Sequence, residues 1–214
     1  MGSSIRAIFF DFDGVLVDSE PVHYECWAEV LAGYAMPLEW DFYNQNFIGS
    51  SDRDMIQVLC ERFGRSYDAG FFRQCYGEKT KLYEQRARGR LAVPEELVLF
   101  ILTSFKTFDL GVVSSSSRCE VEPHLAGRGI RRAITALVCR EDVERCKPDP
   151  EPYLRALDIV NAQADGRGIA AAECLVVEDS EPGAEAGQRA GMRVLRVPGP
   201  VGVLGMLEAE LRRG

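Results

Sequence analysis

The sequence of residues 5–17 is Ile-Arg-Ala-Ile-Phe-Phe-Asp-Phe-Asp-Gly-Val-Leu-Val. Its first half is a short apolar run, interrupted only by Arg6, whose β-branched and aromatic content is typical of a buried strand. The run stops at Asp11, and Asp13 and Gly14 follow at once. Two carboxylates this close repel each other, so a nearby cation would stabilise both charges. The stretch predicts a strand that ends in an acidic loop suited to a hard cation such as Mg²⁺.

Four later apolar runs are also predicted strands, at residues 110–113, 136–139, 174–177 and 193–197. Helix-like segments at residues 151–160 and 181–190 lie between the later strands. Strands that alternate with helices predict an α/β fold, with a doubly wound, Rossmann-like parallel sheet covered on both faces. Ligands bind such sheets beyond the carboxyl ends of the strands.

Residues 17–90 break this alternation, because their apolar residues recur at helical spacing only. A block of this length is too long for an ordinary crossover between strands. We therefore expect an inserted helical cap domain at residues 17–90 and a core domain made of residues 1–16 and 91–214. The predicted buried faces of the first two cap helices are Val22, Trp27, Val30, Leu31 and Tyr34, then Met55, Val58, Leu59 and Phe63.

Three more polar groups follow predicted strands or the loops beyond them. Ser114 opens a run of four serines, whose hydroxyl and backbone N–H groups can bind phosphate oxygens. Lys147 precedes a Pro-Asp-Pro segment and could neutralise a carboxylate and an incoming phosphate. Glu178 and Asp179 supply a second acidic pair. Each group alone is also compatible with a solvated turn or a helix cap, but four such groups in one chain favour phosphoryl-transfer chemistry.

These residues, in this order, resemble the four motifs of the haloacid dehalogenase superfamily. The resemblance covers nearly the whole chain. The helical block after the first motif resembles the small α-helical cap of the β-phosphoglucomutase-like phosphatases in that superfamily. The resemblance implies a Mg²⁺-dependent hydrolase that attacks phosphate with an aspartate.

The resemblance also implies residue roles. Asp11 is expected to be the nucleophile and a Mg²⁺ ligand, and Asp13 the general acid and base, with its backbone carbonyl on the metal. Ser114 and Lys147 are expected to bind the transferring phosphoryl group. Asp179 is expected to ligate Mg²⁺, with Glu178 supporting the metal's waters.

Substrate contacts are expected from the cap and from the serine run. The expected substrate-binding residues are Glu20, His23, Gly49, Ser50, Ser115 and Arg118. For His23 and Arg118 a purely structural role remains an alternative. Asp52 stands where the phosphoglucomutases tend to have Arg, which disfavours a mutase.

The leading hypothesis is a phosphatase for a small phosphomonoester, such as a sugar phosphate, that works through an aspartyl-phosphate. A phosphomutase with the same intermediate is the first alternative. A receiver-like signalling module, which would hold its phosphate as a signal, is an alternative of another class. The helical block argues against that module, since a substrate lid has no obvious purpose there.

The composition limits the possible binding partners of the protein and its possible cellular compartment. The net charge of −8 repels nucleic acid and anionic membranes. Seven cysteines without a Cys-x-x-Cys pair indicate reduced thiols rather than a disulfide framework or a zinc site. No apolar run approaches the roughly 20 residues of a membrane span, and the first residues lack the pattern of a secretory signal. We expect a cytoplasmic monomer that acts on a phosphorylated metabolite.

Overall fold

The chain forms two compact units in a computed structural model that describes residues 4–48, 50–87, 90–163 and 168–213. The first unit combines Met1–Asp18 with Ala92–Gly214 and is called the core unit here. The second unit, Ser19–Leu91, is called the helical unit. The sequence places the corresponding boundaries after residues 16 and 90.

The core unit contains a five-stranded parallel sheet in the order β3-β2-β1-β4-β5. The strands are β1 (Ala7–Phe10), β2 (Asp109–Val113), β3 (Ala136–Val138), β4 (Cys174–Glu178) and β5 (Arg193–Arg196). The chain moves from the central β1 outward to one side and then crosses to the other side with β4. The predicted doubly wound α/β fold is therefore confirmed.

The described helices are α1 (Glu20–Ala32), α2 (Trp40–Asn46), α3 (Asp52–Arg62), α4 (Ala69–Ala87), α5 (Glu95–Ser104), α6 (Arg118–Gly127), α7 (Glu151–Gln163), α8 (Glu181–Arg189) and α9 (Val203–Leu211). Strands β1 and β4 are completely buried, which explains why both are unbroken apolar runs. One face of the sheet packs on α7 and α8, where Phe9, Val176, Tyr153 and Ala186 share a single apolar cluster.

Strand register brings the polar residues to one edge of the sheet. Phe10 pairs with Val112 on one side and with Val177 on the other. The residues after β1, β2 and β4 therefore emerge side by side at the carboxyl ends of neighbouring strands. Asp11 follows β1, where the strand order reverses, and this is the position at which open α/β sheets bind ligands.

The helical unit has its own apolar core, in which Trp27, Leu31, Met55, Leu59 and Cys75 are buried together. The predicted helical character of this block is correct. The predicted face of α3 is wrong in part, because Val58 and Phe63 are 44% and 38% exposed whereas Ile56 and Cys60 are buried. Apolar residues surround much of α3, so the spacing alone does not select one face. Tyr34 lies beyond the end of α1.

A buried cation also belongs to the helical unit. Lys79 on α4 is 1% exposed, and its Nζ lies 3.8 Å from Asp52 Oδ2 and 5.0 Å from the ring centre of Tyr83. Asp52 Oδ1 accepts a 2.9 Å hydrogen bond from Trp27 Nε1. Asp52 therefore holds together side chains of its own unit.

A helix that crosses a membrane must be both long and apolar. Within the described part of the chain, no helix meets both requirements.

Two glycine substitutions test this packing. A Cβ at Gly111 on β2 would lie 2.7 Å from Phe9 Cδ1, whereas a Cβ at Gly77 on α4 would meet no atom within 4 Å. We expect Gly111→Ala to lower the free energy of unfolding by about 1–3 kcal/mol, because the sheet cannot accept extra volume. We expect Gly77→Ala to raise it by about 0.5–1 kcal/mol.

Urea titrations measure both effects. Circular dichroism follows both units, and fluorescence follows the helical unit, which contains both tryptophans, Trp27 and Trp40. Equal stability of Gly111→Ala and the wild type would contradict the packing described for β1 and β2.

Candidate active site

Asp11 is fixed at the end of β1 by the sheet itself. Its backbone N–H donates to the carbonyl of Val177 at 2.9 Å, and its side chain is 9% exposed. The chain then turns at Gly14, whose φ of +77° favours glycine. A Cβ at Gly14 would overlap the carboxylate of Asp179, so the absence of a side chain there allows the two acidic loops to approach each other.

Lys147 delivers a buried positive charge to Asp11. Its side chain is 6% exposed, and Nζ donates to Asp11 Oδ1 at 2.6 Å, to Glu178 Oε1 at 2.6 Å and to the carbonyl of Val113 at 3.0 Å. All three donor positions of the ammonium are thus occupied. One lysine therefore joins the loop after β1 to the carboxyl ends of β2 and β4.

Glu178 is the most deeply buried acid of the site, with no exposed surface. Its Oε1 accepts from Lys147 and, at 3.1 Å, from the hydroxyl of Tyr153. Its Oε2 accepts from the backbone N–H of Ser180 at 3.0 Å and from the Ser180 hydroxyl at 2.9 Å. A Cβ at Gly183 would overlap this carboxylate, so α8 can begin here only with a glycine at that position.

The pKa values of these groups follow from burial and from the shared lysine. Burial raises the pKa of Asp11 well above its ordinary value; the Lys147 charge opposes this effect, and the charges of Glu178, Asp13 and Asp179 add to it. Burial alone would raise the pKa of Glu178, but Lys147 and the Ser180 donors hold it below its ordinary value. Burial alone would lower the pKa of Lys147, but the charge of Asp11 raises it well above its ordinary value.

Asp13 faces the serine run. Its Oδ2 accepts a 2.7 Å hydrogen bond from the Ser116 hydroxyl and a longer one, 3.3 Å, from the Ser114 hydroxyl. Ser114 is held in turn, because its Oγ accepts from the backbone N–H of Ser116 at 2.9 Å and its own N–H donates to Val138. The loops after β1 and β2 thus meet through hydroxyl–carboxylate bonds.

Three acids could hold a metal ion together. Asp11, Glu178 and Asp179 each offer an oxygen, and these oxygens lie within 4.8 Å of one another. Carboxylate oxygens are the ligands that Mg²⁺ prefers. With Asp13 included, the site contains four acidic side chains, of which Asp11 and Glu178 pair with Lys147, so an added divalent cation fits the charge of the site.

The structure places the remaining predicted residues as follows. Ser115 is exposed beside Ser114. Arg118 begins α6, and its Nη2 pairs with Asp142 Oδ2 at 2.6 Å. In the helical unit, Glu20 accepts a 2.7 Å bond from the Tyr43 hydroxyl, and His23 stacks on Tyr83 with ring centres 4.3 Å apart.

The loop between α2 and α3 carries two further predicted residues. Ser50 makes a long 3.5 Å bond to the carbonyl of Asn46. Gly49 lies outside the described residues. A role in substrate binding remains a prediction for both, and also for Glu20, His23, Ser115 and Arg118.

Three residues of the site carry no role in the sequence analysis. Ser116 belongs to the serine run, and only its contact with Asp13 distinguishes it from its neighbours. Tyr153 lies on α7, in a segment that indicates nothing beyond a helix. Arg196 is the last residue of β5. It donates to the Asp179 carbonyl at 2.6 Å and pairs with Glu181 Oε2 at 2.6 Å, and these contacts stabilise the loop after β4.

Comparison with known proteins identifies the family. The family model for haloacid dehalogenase-like hydrolases matches residues 8–197. A phosphorylated carbohydrates phosphatase of Thermotoga maritima is 27% identical over 211 residues, which are 98% of this chain and 92% of the relative. The fructose-1-phosphate phosphatase YqaB of Escherichia coli (strain K12) is 27% identical over 191 residues, 89% of this chain and 95% of the relative.

A solved structure shows the same fold. The crystal structure of β-phosphoglucomutase from Clostridium difficile has a TM-score of 0.78, with 19% identity over 98% of both chains. At that identity the likeness shows the fold alone. The family match spans all the loops described above, and relatives matched over most of their length are phosphatases by name. The chain therefore belongs to the haloacid dehalogenase-like hydrolase family, in which it is a phosphoric monoester hydrolase.

Proposed function

We propose that the protein is a Mg²⁺-dependent phosphatase that hydrolyses a small phosphomonoester, such as a sugar phosphate, through an aspartyl-phosphate on Asp11. The observation that carries this proposal is the 2.6 Å contact between Asp11 and the buried Lys147, at the point where the strand order reverses. Phosphoryl transfer needs a nucleophile beside groups that offset charge on the phosphoryl oxygens. Asp11 and Lys147 supply both.

Asp13 is the proposed general acid and base. An oxygen of Asp11 attacks phosphorus, the ester P–O bond breaks, and Asp13 gives a proton to the leaving oxygen. A water then attacks the phosphorus of the aspartyl-phosphate, Asp13 takes the proton of that water, and Asp11 is released. The 2.7 Å bond from Ser116 supports this role because it holds the Asp13 carboxylate in one orientation.

Asp11, Asp179 and the backbone carbonyl of Asp13 are the proposed Mg²⁺ ligands, with Glu178 beside them. When bound, the ion would supply positive charge to the phosphoryl oxygens and to Asp11. The raised pKa of Asp11 supports this assignment, because a nucleophilic carboxylate must be ionised and Lys147 alone does not offset the burial of Asp11 and the negative charges around it.

The substrate class rests on the relatives and on the charges of the site. Two full-length relatives are named for phosphorylated carbohydrates and for fructose 1-phosphate. A phosphomutase must bind a bisphosphate. Neither Asp52, which bonds Trp27, nor Arg118, which pairs with Asp142, favours the binding of a second phosphate group. Because the chain is a phosphoric monoester hydrolase, the signalling alternative is set aside.

A panel of phosphorylated metabolites tests the substrate class, with free phosphate and isomerised product measured in the same samples. Release of phosphate from sugar phosphates without an isomer supports the proposal. Isomer formation without net phosphate release would establish the mutase.

Asp11→Asn tests the nucleophile. We expect the hydrolysis of p-nitrophenyl phosphate to fall by several powers of ten, on the order of 5 kcal/mol in barrier, because an amide cannot form the acyl phosphate. Asp158→Asn, which changes an exposed acid of α7, is the matched control and should keep wild-type turnover. Substantial turnover by Asp11→Asn would remove Asp11 from its role.

Metal removal tests the cation. EDTA should stop turnover and excess Mg²⁺ should restore it, since the acidic cluster needs a counter-charge. Asp179→Asn should raise the Mg²⁺ concentration for half-maximal activity by about tenfold or more, as loss of a direct ligand predicts. Undiminished turnover in EDTA would contradict the metal assignment.

The same electrostatics predict a pH-dependent stability difference in metal-free protein. The folded pKa of Asp11 lies above its ordinary value of 3.8, so wild-type protein loses stability as pH rises above that value towards the folded pKa. Asp11→Asn lacks this loss. We expect the stability of the variant relative to that of the wild type to rise between pH ~4 and neutral pH.

Urea titrations in EDTA across this pH range measure the difference, with Asp158→Asn again as the control. A stability difference that does not shift in favour of the variant as pH rises over this range would contradict the raised pKa of Asp11.

A further inference from the structure

Tyr153 lies beneath the lysine of the site. It belongs to α7, has no exposed surface, and packs in the apolar cluster between α7, α8 and the sheet. Its ring centre is 5.1 Å from Lys147 Nζ, and its hydroxyl donates to Glu178 Oε1 at 3.1 Å. Tyr153 is thus in contact with both of the charged residues beside Asp11, namely Lys147 and Glu178.

The hydroxyl completes the hydrogen bonding of Glu178. An ionised carboxylate has about four lone-pair sites. Four donors occupy the Glu178 carboxylate: Lys147 and Tyr153 on Oε1, and the amide and hydroxyl of Ser180 on Oε2. A buried carboxylate bonded on all sides has one orientation, so the acceptor that it presents to Lys147 is fixed as well.

We propose that Tyr153 is a positioning residue for phosphoryl transfer: by bonding Glu178 Oε1, it keeps Lys147 shared between Glu178 and Asp11. This inference rests on the proposed function of Asp11 and Lys147. Without the hydroxyl, Oε1 has Lys147 as its one remaining donor and is a buried, incompletely bonded acceptor. Lys147 is then drawn towards Glu178 and away from the phosphoryl group that arrives at Asp11.

Tyr153→Phe removes the hydroxyl and keeps the ring. We expect its kcat for p-nitrophenyl phosphate to fall about tenfold, as loss of a hydrogen bond to a charged group predicts, while KM changes by less than about twofold. Tyr34→Phe is the matched control, because the Tyr34 hydroxyl also donates to a carboxylate, Glu78 Oε1, at 2.7 Å. Because partial unfolding would also lower the apparent kcat without changing KM, kcat is calculated for the folded fraction measured by circular dichroism.

A binding measurement separates this inference from the proposed function. Calorimetry of the Mg²⁺-loaded protein with orthovanadate, which mimics the five-coordinate phosphorus, reports the position of Lys147 without turnover. Affinity should fall about tenfold in Tyr153→Phe and stay unchanged in Tyr34→Phe. If the wild type does not hydrolyse phosphate esters but Tyr153→Phe weakens vanadate binding, the positioning role stands and the proposed function fails.

Two results would overturn the positioning role. The first is a Tyr153→Phe variant with wild-type kcat and vanadate affinity in an enzyme that does turn over. The second comes from Ser180→Ala, which is used if Tyr153→Phe does not fold. Ser180→Ala removes the hydroxyl that donates to the other oxygen of Glu178. Wild-type kcat and vanadate affinity in that variant would show that the bonding of Glu178 does not position Lys147.

Discussion

The site depends on one buried ammonium, Lys147 Nζ, which is held 2.6 Å from both Asp11 and Glu178. Burying these charges is costly, and the ion pairs offset the cost only while every partner is present. The acids outnumber the lysine, so the loops after β1 and β4 keep a surplus of negative charge. That surplus is the physical basis of the proposed Mg²⁺ site, and a bound cation would favour the ionised form of Asp11, the proposed nucleophile.

The sheet brings these charges together. The register of β1 with β2 and β4 fixes the backbone that carries Asp11, Ser114 and Glu178. Close approach of the loops then depends on Gly14 and Gly183, where a Cβ would overlap an acidic side chain. The core unit thus provides a preformed arrangement of charges, and the helical unit begins in the sequence directly after the loop that carries Asp11 and Asp13.

Much of this arrangement is predictable from the chain. Strands buried on both faces are continuous apolar runs, and the polar residues that follow them must meet at one edge of a parallel sheet. The contacts of Tyr153, Ser116 and Arg196 are not predictable, since each depends on the packing of segments distant in sequence. The sequence predicts the buried face of α3 only in part for a related reason: apolar residues surround much of that helix, and tertiary contacts decide which ones are buried.

The most direct test of the central claim is a crystal structure of the protein with Mg²⁺ and beryllium fluoride, which mimics an acyl phosphate. The account predicts beryllium fluoride bonded to a carboxylate oxygen of Asp11, within hydrogen-bonding distance of Lys147, and a Mg²⁺ ion that Asp11 and Asp179 share. Beryllium fluoride bound to another residue, or a Mg²⁺ ion that contacts neither Asp11 nor Asp179, would contradict it.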